Sequence, residues 1–177
     1  MIRGETVTLR LVRESDLPTL YDPLASIETR GDYFPSNLTS ESSLRAGFSE
    51  NGFWGPKNGM LLITDHSDEI LGEIEFYSIT SYMHGFELSY QLFGSQHAGK
   101  GYTSEAVRLL ADHLFDGRRI NRLQLNIHPE NLASKRVAEK AGFTFESIMR
   151  ECWFHRGEYH DLEIWSLIRS EWQPASK

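Results

Sequence analysis

The first regular pattern in the chain is at Thr6–Val12, "TVTLRLV", where apolar and polar residues alternate. A period of two places one set on each face of a sheet, so this stretch predicts a strand. "ESDLPTLYDPL" follows, with Ser15 or Asp16 as a cap and Pro18 in the first turn, which predicts a short helix. Ser26–Ser40 is polar and turn-rich and reads as a loop. "TSESSLRAGFSENG" opens like a capping box and ends in Asn-Gly, which predicts a second helix. The period then returns to two. Met60–Thr64, Glu69–Ile79 and Gly85–Phe93 read as three strands joined by short turns, hence an antiparallel meander. In Tyr102–Phe115, Val107, Leu110, Ala111, Leu114 and Phe115 form one helical stripe, and Gly117 can end it. Arg122–Ile127 alternates as a strand, and Asn131–Ala141 is a helix between an Asn131 cap and Gly142. The segment "FTFESIMRECWFHRGEYHDLEIWSLIRSEW" reads as a hairpin turning near Arg156–Glu158. No repeat, low-complexity run or linker interrupts these elements. The expectation is one mixed α/β (α+β) domain over residues 1–177, with about seven strands and about four helices.

Bulk properties narrow the class. At 177 residues the chain is long enough for a real core. A hydrophobic share of 40% with 24% charged residues is that of a soluble globular protein. No apolar run approaches the ~20 residues of a membrane span. The single cysteine, Cys152, excludes an internal disulfide and suits a reducing cytoplasm; its aromatic strand context predicts a buried structural thiol. A net charge of −7 without a basic patch argues against nucleic acid and favours a cationic partner such as an amine.

The candidate chemistry centres on Gly94–Thr103, "GSQHAGKGYT". Gly94, Gly99 and Lys100 match the Walker A spacing, but position 101 is glycine where a nucleotide loop needs a hydroxyl for Mg²⁺. The meander before it also differs from the parallel βαβ units of P-loop proteins. Small residues, a helix start with free N–H groups and Lys100 still make an anion site. The ligand expected is therefore a pyrophosphate that needs no loop-bound metal; the plain alternative is a tight strand-to-helix turn.

"QHAGKG" at 96–101 resembles the Q/R-x-x-G-x-G/A signature of the GNAT superfamily of N-acetyltransferases. "NIHPENLASKRVAEKAGF" at 126–143 resembles the N-x-x-S helix and "EKAGF" turn of the same proteins. The opening "RGETVTLRLVRESDLPTLY" and the terminal "HRGEYHDLEIWSL" resemble the branch of ribosomal-protein N-terminal (Rim-type) acetyltransferases. The resemblance implies a GNAT-like domain with a mostly antiparallel, splayed sheet. It also implies acetyl-CoA and direct transfer to a primary amine, either a protein N-terminal α-amine or an amino acid, polyamine or antibiotic. The alternative is a CoA-binding sensor or scaffold without turnover. A cytoplasmic monomer or homodimer, acting on neither membrane nor nucleic acid, is expected.

The resemblance assigns roles residue by residue. Gln96 and the loop Ala98, Gly99, Lys100, Gly101, Tyr102 and Thr103 would seat the pyrophosphate. The pantetheine arm would pair with Tyr90–Phe93, in a V between that strand and Leu123–Ile127. An oxyanion donor would lie near Gln91 and Leu92, with Phe93 beside them. Asn131 would bond the arm, or simply cap its helix. Ser134 would protonate the departing thiolate, or simply start the helix. An amine must attack as the free base, so a carboxylate is sought on the central strands. Glu87 matches an acidic residue of the family strand and is the first candidate, and Glu75 the second. Glu73 shares the face of Glu75 and Tyr77 and is a candidate for acceptor contact, although a solvated strand face fits Glu73 most easily. Tyr33, Phe34, Phe53 and Trp54 are candidates for an acceptor pocket, or for core. A turn separates His155 from His160 and Asp161, and no Cys or third His lies at ligand spacing, so no metal site is expected.

Overall fold

The computed structural model describes residues 1–26, 31–35 and 37–174. Its sheet has eight strands: β1 (Ile2–Arg3), β2 (Thr8–Leu11), β3 (Asn58–Thr64), β4 (Ile70–Ser78), β5 (Gly85–Leu92), β6 (Arg122–Ile127), β7 (Thr144–His155) and β8 (Glu158–Ile168). The helices are α1 (Leu17–Ala25), α2 (Glu41–Asn51), α3 (Tyr102–Gly117) and α4 (Leu132–Lys140). The strand beyond the seven expected is β1, too short for a period to reveal it and formed only by pairing with β2. Part of the Ser26–Ser40 loop, residues 27–30 and 36, lies outside the described residues.

The strand order is β1-β2-β3-β4-β5-β6-β8-β7. Every pairing is antiparallel except β5–β6, where α3 crosses over between parallel neighbours. The glycine loop therefore sits inside one β-α-β unit, which the meander reading did not foresee. That parallel pairing is short: it runs from Gly85↔Arg122 to Glu87↔Gln124 and then stops. Beyond Glu87, β5 and β6 no longer pair with one another among the described residues, and the two strands part to make the V.

Apolar cores lie on both faces. On one face Leu110, Leu114 and Phe115 of α3 pack with Ile74, Phe76, Phe86 and Leu123. On the other, Leu20 of α1 and Leu44 of α2 cover Met60 and Leu62 of β3. Moving from β3 to β4 and β5 on this second face, the side chains turn polar. The cross-strand pairs Glu73↔Gln91, Glu75↔Ser89 and Tyr77↔Glu87 lie there, while Ile74↔Tyr90 and Phe76↔Leu88 point to the α3 face.

Two local expectations are corrected. Asp16 occupies the N-cap position of α1 but makes no cap bond with its side chain. Instead its carboxylate accepts from both terminal nitrogens of Arg10, at 2.7 and 3.0 Å, and from the Arg13 N–H. Cys152 is exposed, not buried. It lies on β7, the outermost strand, at a register irregularity between Met149 and Trp153 that no layer covers.

Candidate active site

β5 ends at Leu92, and the chain turns through Gly94 and a short 3₁₀ segment, Ser95–His97, into the loop before α3. Gly99 and Gly101 adopt φ of +76° and +88°, in the left-handed region that favours glycine. Space beyond both is open: a Cβ at either would meet nothing within 4 Å. Gly101 is the N-cap of α3, so the N–H groups of the first turn have no acceptor inside the helix. This is a cradle with the shape and polarity for a pyrophosphate. Gln96 is exposed, and its side-chain amide lies 3.1 Å from the ring of buried His97. Lys100 Nζ lies 5.9 Å from the centre of the Tyr102 ring.

A cavity of about 290 Å³ opens where β5 and β6 part, and Glu87, Ser89, Tyr90, Asn126, Asn131 and Ser134 line it. The two faces of the sheet meet at this gap. From the polar face, Glu87 accepts from Tyr77 Oη at 2.6 Å and from Asn126 Nδ2 at 2.8 Å. From the α3 face, Tyr90 reaches α4, its Oη 2.6 Å from Ser134 Oγ. Asn131 caps α4 by accepting from the Ser134 N–H at 3.0 Å, which orients the serine and leaves the Asn131 amide as a donor beside the cavity.

Burial sets the electrostatics. Desolvation holds the Glu87 carboxyl above the ordinary carboxylate range, against the opposing pull of the hydrogen bonds from Tyr77 and Gln124. Tyr77 is raised well beyond the usual phenol value, first by desolvation and then by the Glu87 charge. Tyr90 is pushed up to about 12 by burial and so remains a neutral hydroxyl. A carboxylate of raised proton affinity thus stands on one side of the gap and a hydroxyl pair on the other.

A second cavity, of about 460 Å³, adjoins the first, and Phe34, Pro35 and Tyr77 line both. Phe53, Asn58, Glu73 and Glu75 lie in this outer cavity. Glu75 is thus set apart from the Glu87 cavity. Glu73 is 3% exposed, which overturns the solvated reading; the polar face it occupies lies under the α1/α2 side of the fold. Trp54 borders neither cavity. It packs edge-on against Phe76 at 5.2 Å, with Arg118 over the ring, on the opposite face of the sheet. Tyr33 and Phe34 do line the inner cavity.

The structure adds Asp32, His128, Trp153 and Arg156, to which the sequence alone assigns no role. Tyr33 stacks on His128 with centroids 4.9 Å apart, and the His128 ring meets His160 at 3.3 Å. Asp32, next in the chain, pairs its carboxylate with Arg156 at 2.9 Å, and its carbonyl lies 3.0 Å from His155 Nε2. The 31–35 loop is thereby fastened to the β7–β8 turn. His155 and His160 belong to this aromatic wall with Trp153. The alternation of "LGEIEFY" already placed Tyr77 near carboxylates, but its partner depends on a register that one strand does not carry.

Residues 6–144 match the profile of the acetyltransferase (GNAT) domain. The chain belongs to the GNAT acetyltransferase family. It is 31% identical over 118 residues, 67% of its length, to an uncharacterised N-acetyltransferase, p20, of Bacillus licheniformis, and spans 66% of that protein. Its fold resembles the structure of RimL, a ribosomal L7/L12 alpha-N-protein acetyltransferase in complex with coenzyme A. The TM-score is 0.77 at 25% identity, covering 94% of this chain and 97% of that one. A spermidine N-acetyltransferase of Vibrio cholerae, in complex with CoA and spermine, superposes with a TM-score of 0.80 at 20% identity, covering 93% and 96%. No helix among the described residues is long and apolar enough to cross a membrane.

Proposed function

We infer that the chain, as a single domain, is an acetyl-CoA-dependent N-acetyltransferase that transfers the acetyl group directly to a primary amine. The observation that carries this reading is the inner cavity. It joins a desolvated carboxylate, Glu87, to a hydroxyl, Ser134, where β5 and β6 part. The glycine cradle at 98–103 anchors the pyrophosphate, and β5 runs from the gap to the cradle. A backbone N–H near Gln91 and Leu92, at the end of β5, serves as oxyanion donor.

The incoming amine enters through the outer cavity past Phe34 and Pro35, with Tyr33 at the rim of the inner one. Glu87 takes a proton from the amine nitrogen. The nitrogen forms its bond to the acetyl carbon, the C–S bond breaks, and its electron pair stays on sulfur. Ser134 gives its hydroxyl proton to sulfur and regains one from water, balancing the proton that Glu87 returns to water. A thiol of reference pKa about 8.5 is already a fair leaving group, so Ser134 supplies a modest share of the rate. A protein that only sensed CoA would need no carboxylate of raised proton affinity in the gap, and Glu87 therefore favours turnover over sensing.

A protein N-terminal amine is one acceptor class and a small cationic amine the other. A screen of N-terminal peptides against amino acids, polyamines and aminoglycosides, with mass detection of the acetyl group, tests the reading. Transfer to at least one class is expected. Tight acetyl-CoA binding without transfer to any member would return the chain to the sensor class.

A further inference from the structure

Tyr90 lies on the α3 face of β5 and reaches across to α4. The family resemblance gives its neighbourhood to the pantetheine arm and assigns its side chain no part. In the structure the phenol is partly buried against the α3-side core. Its Oη lies 2.6 Å from Ser134 Oγ and 3.5 Å from the Ser134 carbonyl oxygen. A buried phenol needs an acceptor, and the serine oxygen is the nearer one. Phenol is the stronger acid of the two hydroxyls, so the short bond runs from Tyr90 O–H to Ser134 Oγ. A serine hydroxyl has one proton and two lone pairs. With a lone pair held by Tyr90 and the N–H of the same serine held by Asn131, the remaining freedom is the direction of its proton. The cavity is where that proton can point, since both residues line it.

We propose that Tyr90 is a positioning residue for the acetyl-transfer step, donating to Ser134 Oγ so that the serine hydroxyl is aimed at the sulfur of CoA. The proposal rests on the acetyltransferase reading and deepens it. Tyr90 stays neutral throughout: no proton leaves it, and the proton delivered to sulfur is the serine's own. Charge that gathers on Oγ as sulfur takes that proton is met by the phenol O–H. The hydrogen bond therefore strengthens as the reaction proceeds and acts on kcat more than on binding.

The test uses Tyr90→Phe, Ser134→Ala and the double variant, each first shown to melt as the wild type does. Tyr90→Phe should lower kcat about tenfold, the worth of one such hydrogen bond, with the KM for acetyl-CoA near normal. In the Ser134→Ala background the same change should cost nothing further. Equal losses in both backgrounds would mean that Tyr90 acts through packing alone and would overturn the proposal. A second readout is independent of turnover. Ultraviolet titration of bound CoA should show a thiol that ionises more readily on the wild-type protein than on Tyr90→Phe, because an aimed hydroxyl favours the thiolate. Identical titrations would overturn the proposal too. Normal CoA titration differences in a protein that acetylates no amine would instead count against the catalytic reading while leaving the pair in place. A wild-type protein that binds no CoA would overturn both.

Discussion

Asn126 on β6 donates to Glu87 on β5 at 2.8 Å, across the point where these strands stop pairing. The bond holds the carboxylate at the mouth of the gap, and Tyr77 holds its other oxygen from the neighbouring strand. Glu87 is therefore fixed from both sides while remaining desolvated, as its proposed role of general base requires.

Glu87→Gln should lower kcat by a hundredfold or more, with acetyl-CoA affinity near normal. The same substitution should stabilise the fold at high pH. The native carboxyl has a raised pKa, so ionising it in the folded protein costs more than in the unfolded chain. The wild type consequently loses stability as pH rises through the native value, and the variant does not. Melting curves from pH 4 to pH 9 should show the variant gaining on the wild type toward the alkaline end; parallel curves would remove the desolvated carboxylate.

Tyr77→Phe removes a donor that lowers the Glu87 pKa. The acid limb of the kcat/KM profile should therefore move to higher pH, and activity at the alkaline plateau should change less than activity at pH 6. A limb that moved to lower pH, or stayed in place, would show that Tyr77 does not set the base.

Gly99→Glu should fold, because a Cβ there meets nothing, at a cost of about 1–2 kcal/mol for a side chain at positive φ. It should bind acetyl-CoA at least a hundredfold more weakly in calorimetry, since a carboxylate then occupies an anion seat. Wild-type affinity in a folded variant would refute the cradle.

Arg156→Ala should raise the KM for the acceptor several-fold and leave that for acetyl-CoA unchanged, because Arg156 holds the 31–35 loop through Asp32. Both side chains are exposed, so the thermal midpoint should barely move. Equal effects on both KM values would place the loop's influence outside the acceptor path.

The Arg10–Asp16 pair gives a pH-dependent contribution to stability of opposite sign to that of Glu87. Its side chains are 4% and 9% exposed, and the hydrogen bonds from Arg10 and the Arg13 N–H hold the Asp16 carboxyl below its ordinary value against desolvation. The contribution is whole at neutral pH and fades as pH falls below the ordinary carboxylate range through the native value. Asp16→Ala should cost about 1.5–3 kcal/mol at pH 7, because the terminal nitrogens of buried Arg10 lose their carboxylate while Asp68 still pairs with its Nε, and less in acid. Chemical denaturation at pH 7 and pH 3 measures both.

The sequence alone determined what depends on local order along the chain. Alternation marked β2 to β6, the hairpin of β7 and β8 turns where it was expected, and the α3 stripe of Val107, Leu110 and Leu114 is the buried face of that helix. Glycines at 99 and 101 announced a tight loop, which the structure makes left-handed at both, and Asn131 announced a cap that the structure contains. Tertiary structure decided what depends on register and on layers. The partnership of Tyr77 with Glu87 needs the β4–β5 register, and that of Tyr90 with Ser134 needs the β5–α4 packing. Trp54, read beside Tyr33 as acceptor wall, lies across the sheet, and Cys152, read as buried, lies on its open edge. A period tells which residues share a face, but the face that is covered, and by what, is settled only when distant segments meet. The gap between β5 and β6 is the clearest case, because strands that pair for three residues and then part carry the same alternation as strands that pair throughout.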